Sequence, residues 1–283
     1  MENWQYGQRL EFVTTDTLEE FNTPRSNVQY VQTQSHGSVL LMDGEVQFGT
    51  LDEHRYHEML VHPVMKDISG VQGVNVLILG GGDGLAAREV FRWPNVANVT
   101  IVDYDSTFVD VFGRDRLSVQ NERVFTRSNL HYVDQDASEY LQATPELFDA
   151  VLIDLPDPDS HEMQNLYINL IVQAKRCLLP SHGVLGLHVG PALLDPTHRQ
   201  WEFIQTSKQT LTNEFSGLYP SIKFGSVYVP TFSNEWGFLW MRLGRYPTQS
   251  PNTMREVEQE CRFWRESATY SSPDMQTIYR RRL

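Results

Sequence analysis

Residues 76–84 read Val-Leu-Ile-Leu-Gly-Gly-Gly-Asp-Gly, and this stretch decides the fold. Val76–Leu79 is an unbroken apolar run, the pattern of a strand buried on both faces of a parallel sheet. Gly80, Gly82 and Gly84 alternate behind it, and Leu85-Ala86-Ala87-Arg88-Glu89-Val90 opens a helix-forming run. Glycine lets the chain turn sharply and lets backbone approach a ligand with no Cβ in the way. A strand, a glycine-rich turn and a helix start make a nucleotide-binding arrangement. The dinucleotide fingerprint G-x-G-x-x-G would need glycine at 85, where Leu85 stands.

The G-x-G-x-G spacing instead matches proteins that bind S-adenosylmethionine or a relative. Val99–Val102 reads as the next strand and ends in Asp103. That is about twenty residues beyond the glycines, where an acidic group accepts hydrogen bonds from ribose hydroxyls. Asp105 follows on the same side of the strand's alternation.

From Val74 onward, strands alternate with helices. The pattern predicts strands over 75–79, 99–103, 130–134, 148–153 and 183–189, with helices over 85–92, 106–114, 137–142 and 164–177. Such alternation predicts a parallel sheet with right-handed crossovers. A helix over 200–215 and β-type runs over 224–230 and 236–243 close this unit, with an antiparallel hairpin at the sheet's edge. Upstream, Arg9–Thr15, Val28–Thr33, Ser38–Met42 and Val46–Phe48 are short β-type runs. Met42-Asp43-Gly44-Glu45 is a hairpin turn signal. Asp52–Met65 is helical, with Tyr56, Met59, Leu60 and Val64 at helical spacing. The expected fold is therefore α/β: a Rossmann-like, methyltransferase-type parallel sheet over residues 67–244, with a small β-rich N-terminal domain over 1–66. Residues 245–283 form a C-terminal tail, with a Pro- and Ser-containing linker, a charged helix over 253–266 and an arginine end at Arg280-Arg281-Arg282.

Composition bounds the function. The 283 residues carry a formal charge of −13, which argues against nucleic acid as a partner, because phosphate contacts need clustered Lys and Arg. It suits a cationic substrate, whose approach an acidic cleft favours. Cys177 and Cys261 stand apart, with no C-x-x-C, as in a reducing cytosol. No basic-then-apolar leader opens the sequence, and no apolar run reaches membrane-spanning length. A soluble, cytoplasmic protein with no membrane partner is expected.

In open α/β sheets, ligands bind beyond the carboxyl ends of the strands. Asp83, Asp103, Asp136 and Asp154 fall at or near such ends. Asp154 opens Asp154-Leu155-Pro156-Asp157-Pro158, a loop stiffened by two prolines. Two carboxylates three positions apart there can hold a cation and take a proton. His54, His57 and His62 miss the H-E-x-x-H spacing, and no Cys or His cluster completes a zinc site, so no metal is expected. Tyr56 and Glu58 serve as polar groups facing the cleft. No Gly-x-Ser-x-Gly elbow occurs, and no Ser or Cys nucleophile has an obvious base.

With these motifs in place, the chain resembles the spermidine synthase family, the polyamine aminopropyltransferases. The likeness runs from about Ser26 to Gly244. It is carried by Leu41-Met42-Asp43-Gly44-Glu45-Val46-Gln47 with Asp52-Glu53 and Tyr56-His57-Glu58, and by Gly80-Gly81-Gly82-Asp83-Gly84 with Arg88-Glu89-Val90. Asp103-Tyr104-Asp105 and Asp154–Pro158 complete it, and Tyr270–Met275 resembles the family's C-terminal segment. The resemblance implies transfer of an aminopropyl group from decarboxylated S-adenosylmethionine, a co-substrate rather than a tightly bound cofactor, to an amine such as putrescine, releasing methylthioadenosine. It implies that Gln29, His57, Gly80, Gly82 and Asp83 contact the donor, that Asp103 binds its ribose and that Asp136 receives the adenine amino group. Asp154 would be the base, with Tyr56 where donor and amine meet. Asp157, Gln47, Glu58 and Phe232 would line the acceptor side. The family commonly forms dimers or tetramers, so a homodimer or homotetramer is expected.

Three positions depart from the family's pattern. Leu155-Pro156 replaces the usual Ser or Thr between the loop aspartates, Phe232 stands where tyrosine is frequent, and His188 where glutamine is common. Two other functions share parts of the pattern: an S-adenosylmethionine-dependent N-methyltransferase, and a non-catalytic nucleoside-binding relative. The β-rich N-terminal segment with Tyr56-His57-Glu58 opposes the first, and Asp154 with Asp157 opposes the second.

Overall fold

The computed structural model describes residues 2–5, 8–193 and 197–244. The expected linker, charged helix and arginine end of the tail lie outside the described residues.

A hairpin of β1 (Glu2–Gln5) and β2 (Gln8–Glu11) opens the chain. An antiparallel sheet follows, in the order β3 (Thr14–Asn22), β4 (Asn27–Thr33), β5 (Ser38–Met42), β6 (Glu45–Gly49). The β5–β6 connection is the tight turn its residues predict. Asp43 and Gly44 both take positive φ, 52° and 81°, the pair a two-residue hairpin turn demands. The expected run Arg9–Thr15 is instead the end of β2 and the start of β3. Strand β3 is almost wholly exposed, so it carries no apolar alternation by which to find it.

The second sheet has seven strands, in the order β12-β13-β11-β10-β7-β8-β9. These are β7 (Val74–Gly80), β8 (Val96–Val102), β9 (Leu130–Val133), β10 (Ala150–Asp154), β11 (Val184–Pro191), β12 (Ser221–Val229) and β13 (Asn234–Arg242). Strands β11, β10, β7, β8 and β9 run parallel, and β12–β13 is the antiparallel edge hairpin. Alternation sorts the central strands between two cores. Val76, Ile78, Val99, Ile101 and Leu152 face one, Leu77, Leu79, Val102, Val151 and Ile153 the other.

Helix α1 (Glu53–Asp67) and α2 (Leu85–Val90) cover the first face. Helix α1 packs on β11, β12 and β13 of the large sheet and on α2. Helix α3 (Ser106–Phe108) continues as wider π turns over Val109–Arg116. There a Cβ on Gly113 would stand 2.2 Å from the carbonyl oxygen of Gly82, so this helix lies hard against the glycine-rich turn. Helices α4 (Ala137–Ala143), α5 (His161–Ala174) and α6 (Arg199–Glu214) cover the other face. Helix α5 starts three residues earlier than its apolar pattern predicts, because the Ser160 side chain caps it by accepting from the Met163 N–H. No helix among the described residues is long and apolar enough to cross a membrane.

Candidate active site

A cleft of about 370 Å³ opens beyond the carboxyl ends of β7, β8 and β10, with β5 and β6 of the smaller sheet contributing its opposite wall. Its floor begins at the glycine-rich turn. Gly80, with φ 83°, pairs with Asp154 in register, and a Cβ on it would lie 2.1 Å from the Asp154 carbonyl oxygen. A Cβ on Gly82 would lie 2.7 Å from Asp103 Oδ2. The turn is thus glycine because two neighbouring strand ends press against it.

Asp103 is held by backbone. Its Oδ2 accepts from the Gly82 N–H at 3.0 Å and its Oδ1 from the Asp105 N–H at 2.9 Å. Burial outweighs these bonds and pushes its pKa up to about 6. Asp83 accepts from the Leu85 N–H at 2.8 Å. Burial pushes it up to about 6 as well, against the pull of His57. Burial also raises the pKa of Asp154, which His57 and a hydrogen bond from the Tyr56 hydroxyl (2.9 Å) oppose.

His57 is the cation among these carboxylates. Its Nδ1–H donates to Glu53 Oε2 at 2.8 Å, one helical turn earlier, and its Nε2 lies 4.0 Å from Asp83 Oδ2. Burial works against the imidazolium, but Glu53, Asp83 and Asp154 prevail and push its pKa up to about 9. Glu53 is also buried; a two-pronged contact with Arg88, Nη1–Oε1 2.9 Å and Nη2–Oε2 3.0 Å, overrides that burial and holds its pKa down to about 2. His57, Asp83 and Asp154 offer polar atoms within 4.8 Å of one another. Side chains of these types, so placed, can hold a cation.

The structure brings most of the expected residues together. Tyr56, His57, Gly80, Gly82, Asp83, Asp103, Asp154, Asp157, Gln47 and Phe232 all line the cleft. Asp136 is not among the lining residues; it caps α4, accepting from the Ser138 and Glu139 N–H groups, within electrostatic reach of Tyr104, which does line the cleft. Two further expected residues stand apart from this lining. Gln29 is not among the lining residues; it faces across the small sheet and donates to Glu20 Oε1 at 3.0 Å. Arg25 and Ser26, from the preceding turn, reach the cleft instead. Glu58 is 2% exposed and lies off the cleft. It follows Tyr56 by two positions, about 200° around a helix, so the two cannot share a face.

Other contributors carried no assigned role in the sequence reading. Glu53 and Arg88 stand inside quoted motifs, and only the i, i+4 spacing of Glu53 and His57 signals their pairing. The Thr23 hydroxyl donates to Asp105 Oδ2 at 2.6 Å and ties the 23–26 turn to the end of β8. Arg25 lies over the Tyr104 ring at 4.6 Å.

Comparison with known proteins agrees with this architecture. The chain is 36% identical over 202 residues to a polyamine aminopropyltransferase of Oceanobacillus iheyensis, covering 71% of this chain and 37% of that protein. It is 30% identical over 228 residues to one of Sulfurisphaera tokodaii, covering 80% and 71%. The chain thus spans well under half the length of the first relative. A crystal structure of spermidine synthase in complex with the transition state analogue AdoDATO superposes with a TM-score of 0.79 at 20% identity, over 96% of this chain and 91% of that one. The spermidine synthase of Thermotoga maritima superposes at 0.78 and 21% identity, covering 96% and 90%. The sequence model described as the spermine/spermidine synthase domain matches residues 53–245, from the start of α1 to the end of the large sheet and just beyond, and the chain belongs to that family.

Proposed function

We propose that this protein transfers an aminopropyl group from decarboxylated S-adenosylmethionine to an amine. The observation that carries the reading is the convergence of Asp83, Asp154, Tyr56 and His57 beside Asp103 at the carboxyl ends of β7, β8 and β10. The donor is a sulfonium, already a good leaving group, so the reaction needs no metal to activate it. Asp103 accepts the ribose hydroxyls, and Asp83 attracts the donor's terminal ammonium.

The acceptor amine is the group that needs activation. A primary ammonium has a pKa near that of lysine, about 10.4, and must lose a proton to become a nucleophile. Asp154 takes that proton; its raised pKa makes it a stronger base than a solvated aspartate. The amine lone pair then attacks the carbon bound to sulfur. The carbon–sulfur bond breaks with its electrons going to sulfur, and neutral methylthioadenosine leaves. Tyr56, donating to Asp154 Oδ1, fixes the carboxylate for this step. Asp157 holds the acceptor, and Phe232, whose ring meets Tyr56 edge-on at 6.3 Å, provides an apolar wall. The same reading carries a cytoplasmic enzyme that assembles as a dimer or tetramer.

Incubation with decarboxylated S-adenosylmethionine or S-adenosylmethionine, each with putrescine, cadaverine, agmatine or spermidine, tests the proposal by mass spectrometry. Aminopropylated amine and methylthioadenosine are the expected products. Methyl transfer would make the protein an N-methyltransferase, and no transfer with retained nucleoside binding would make it a non-catalytic relative.

A further inference from the structure

The loop Asp154–Pro158 is poor in backbone donors, because Pro156 and Pro158 have no N–H. Its carbonyls are what the protein can grip, and each is gripped. The Asp154 carbonyl accepts from the Gly81 N–H at 3.0 Å, and the Asp157 carbonyl from the Asp159 N–H at 2.8 Å. Side chains take the others. The Tyr167 hydroxyl lies 2.9 Å from the Leu155 carbonyl oxygen and 3.2 Å from that of Pro156. His188 Nε2 lies 2.8 Å from the Leu155 oxygen, and Gln164 Nε2 donates to the Pro158 oxygen at 3.0 Å.

These side chains come from two elements that the fold places beside the loop. Gln164 and Tyr167 are three apart on α5 and share a face. His188 lies on β11, just past the Leu187–Ile153 pair, level with Asp154. All are buried: Gln164 is 8% exposed, Tyr167 0% and His188 1%. A phenylalanine would fill the space of Tyr167 equally well, so packing alone does not explain its hydroxyl. His188 Nε2 also lies 2.5 Å from the Tyr167 hydroxyl, so the two side chains brace each other against the Leu155 carbonyl, and the His188 Nδ1 is buried with no hydrogen-bond partner among the described residues. Burial pushes the His188 pKa down to about 4. The imidazole is therefore neutral near pH 7 and puts no positive charge beside a loop that is to hold ammonium groups.

We propose that Gln164, Tyr167 and His188 are positioning residues, which hold the Asp154–Pro158 loop by its carbonyls and so set where Asp154 and Asp157 meet the acceptor amine. The inference rests on the aminopropyl-transfer reading for its effect on rate, but not for its effect on the loop. Three variants test it: Tyr167→Phe, His188→Leu and His188→Gln, whose amide offers an N–H to Leu155. With saturating decarboxylated S-adenosylmethionine and varied putrescine, Tyr167→Phe and His188→Leu should lose about tenfold or more in kcat/KM, since small misplacements of reacting groups are costly. His188→Gln should recover most of that loss. Methylthioadenosine affinity, measured by calorimetry, should stay within about twofold in all three, because the glycine-rich turn is untouched. Hydrogen exchange supplies a readout that needs no turnover. Amides of the 154–160 segment should exchange faster in Tyr167→Phe, while those of 80–85 keep their protection. Unchanged loop exchange would overturn the proposal, as would parallel losses in amine turnover and methylthioadenosine affinity. A wild-type protein that transfers no aminopropyl group would overturn the functional reading alone, and the exchange experiment would still decide the positioning.

Discussion

The glycine-rich turn after β7 and the proline-rich loop after β10 leave neighbouring parallel strands and touch at Gly81 N–H and the Asp154 carbonyl. They solve one problem in opposite ways. The turn removes side chains so that backbone and carboxylates can close on it, and its Gly82 N–H holds Asp103. The loop removes backbone donors, and its carbonyls depend partly on side chains from α5 and β11. The turn thus has a strongly local requirement, whereas the loop is as good as residues that lie many positions away. Damage to the turn should harm both substrates' sites; damage to the loop should harm the amine side alone.

The largest effect should follow Gly80→Ala. Its Cβ would meet backbone rather than a movable side chain, at 2.1 Å and with φ at 83°. Backbone of two central strands cannot give way cheaply, so a loss of about 4 kcal/mol or more, or failure to fold, is expected. Gly44→Ala is the control: φ is 81°, but no atom of the described residues lies within 4 Å of the new Cβ. There only the left-handed penalty of about 1–2 kcal/mol applies. Equal denaturation midpoints for the two variants would show that the turn is not tightly closed by its neighbours.

Next in size is Asp154→Asn, which breaks the loop side without touching the turn. Loss of a general base commonly costs about 10²–10⁴ in rate. The fold should not suffer, since burial already disfavours the ionised form of this group. Single-turnover chemistry at near wild-type rate would remove Asp154 from the role of base. Methylthioadenosine affinity should hold, because the proposed nucleoside contacts lie on the turn side.

The ion pair behind both regions makes a pH prediction. His57 titrates at about 9 when folded and at its ordinary 6.5 when unfolded. A raised pKa gives stability that is complete below 6.5 and disappears as pH rises through 9. A shift of this size corresponds to about 3 kcal/mol. Glu53, lowered despite burial to about 2 from 4.5, chiefly by Arg88 and further by His57, contributes at the other end of the scale; its share disappears as pH falls from 4.5 through 2. Denaturant unfolding should therefore show wild type losing stability between pH 6.5 and 9.5, and Glu53→Gln losing much less over that window. Parallel curves for the two proteins would refute the pairing.

The contrast between turn and loop also explains what could be read from sequence. Val76–Gly84 announces itself because strand, turn and helix start are contiguous. Asp103 and Asp154 follow because each ends an apolar run. Gln29 and Glu58 stand off the cleft lining for geometric reasons. Gln29 lies directly opposite Glu20 across β3 and β4, a pairing invisible while β3 had no alternation to reveal it. Glu58 sits beside two cleft residues in sequence but around the helix from Tyr56 in space. Arg88 and Glu53 are separated by 35 positions, and His188 and Leu155 by 33. No local pattern joins such pairs; only the sheet order does.

The smallest effect, and the cleanest test of the turn side, is Asp103→Ala. Its carboxylate is held by two backbone N–H groups, which leaves lone pairs for the ribose hydroxyls. Donor and methylthioadenosine carry the same ribose, so both should weaken equally. Each hydrogen bond to a charged acceptor contributes about 1.5–3 kcal/mol. Asp103 also titrates at about 6, and a protonated carboxyl is a poorer acceptor than a carboxylate. In wild type, methylthioadenosine affinity should therefore fall as pH drops through 6, whereas Asp103→Ala should show a weak and flat profile. His57, Asp83 and Asp154 face the same cleft, but methylthioadenosine lacks the ammonium that would engage them, so their titration should register in donor binding and far less in product binding. Calorimetry with methylthioadenosine from pH 5 to 8 decides the matter. Unchanged affinity in the variant would free Asp103 from the ribose, and a wild-type affinity that is level across pH 6 would show that its carboxylate does not carry the contact.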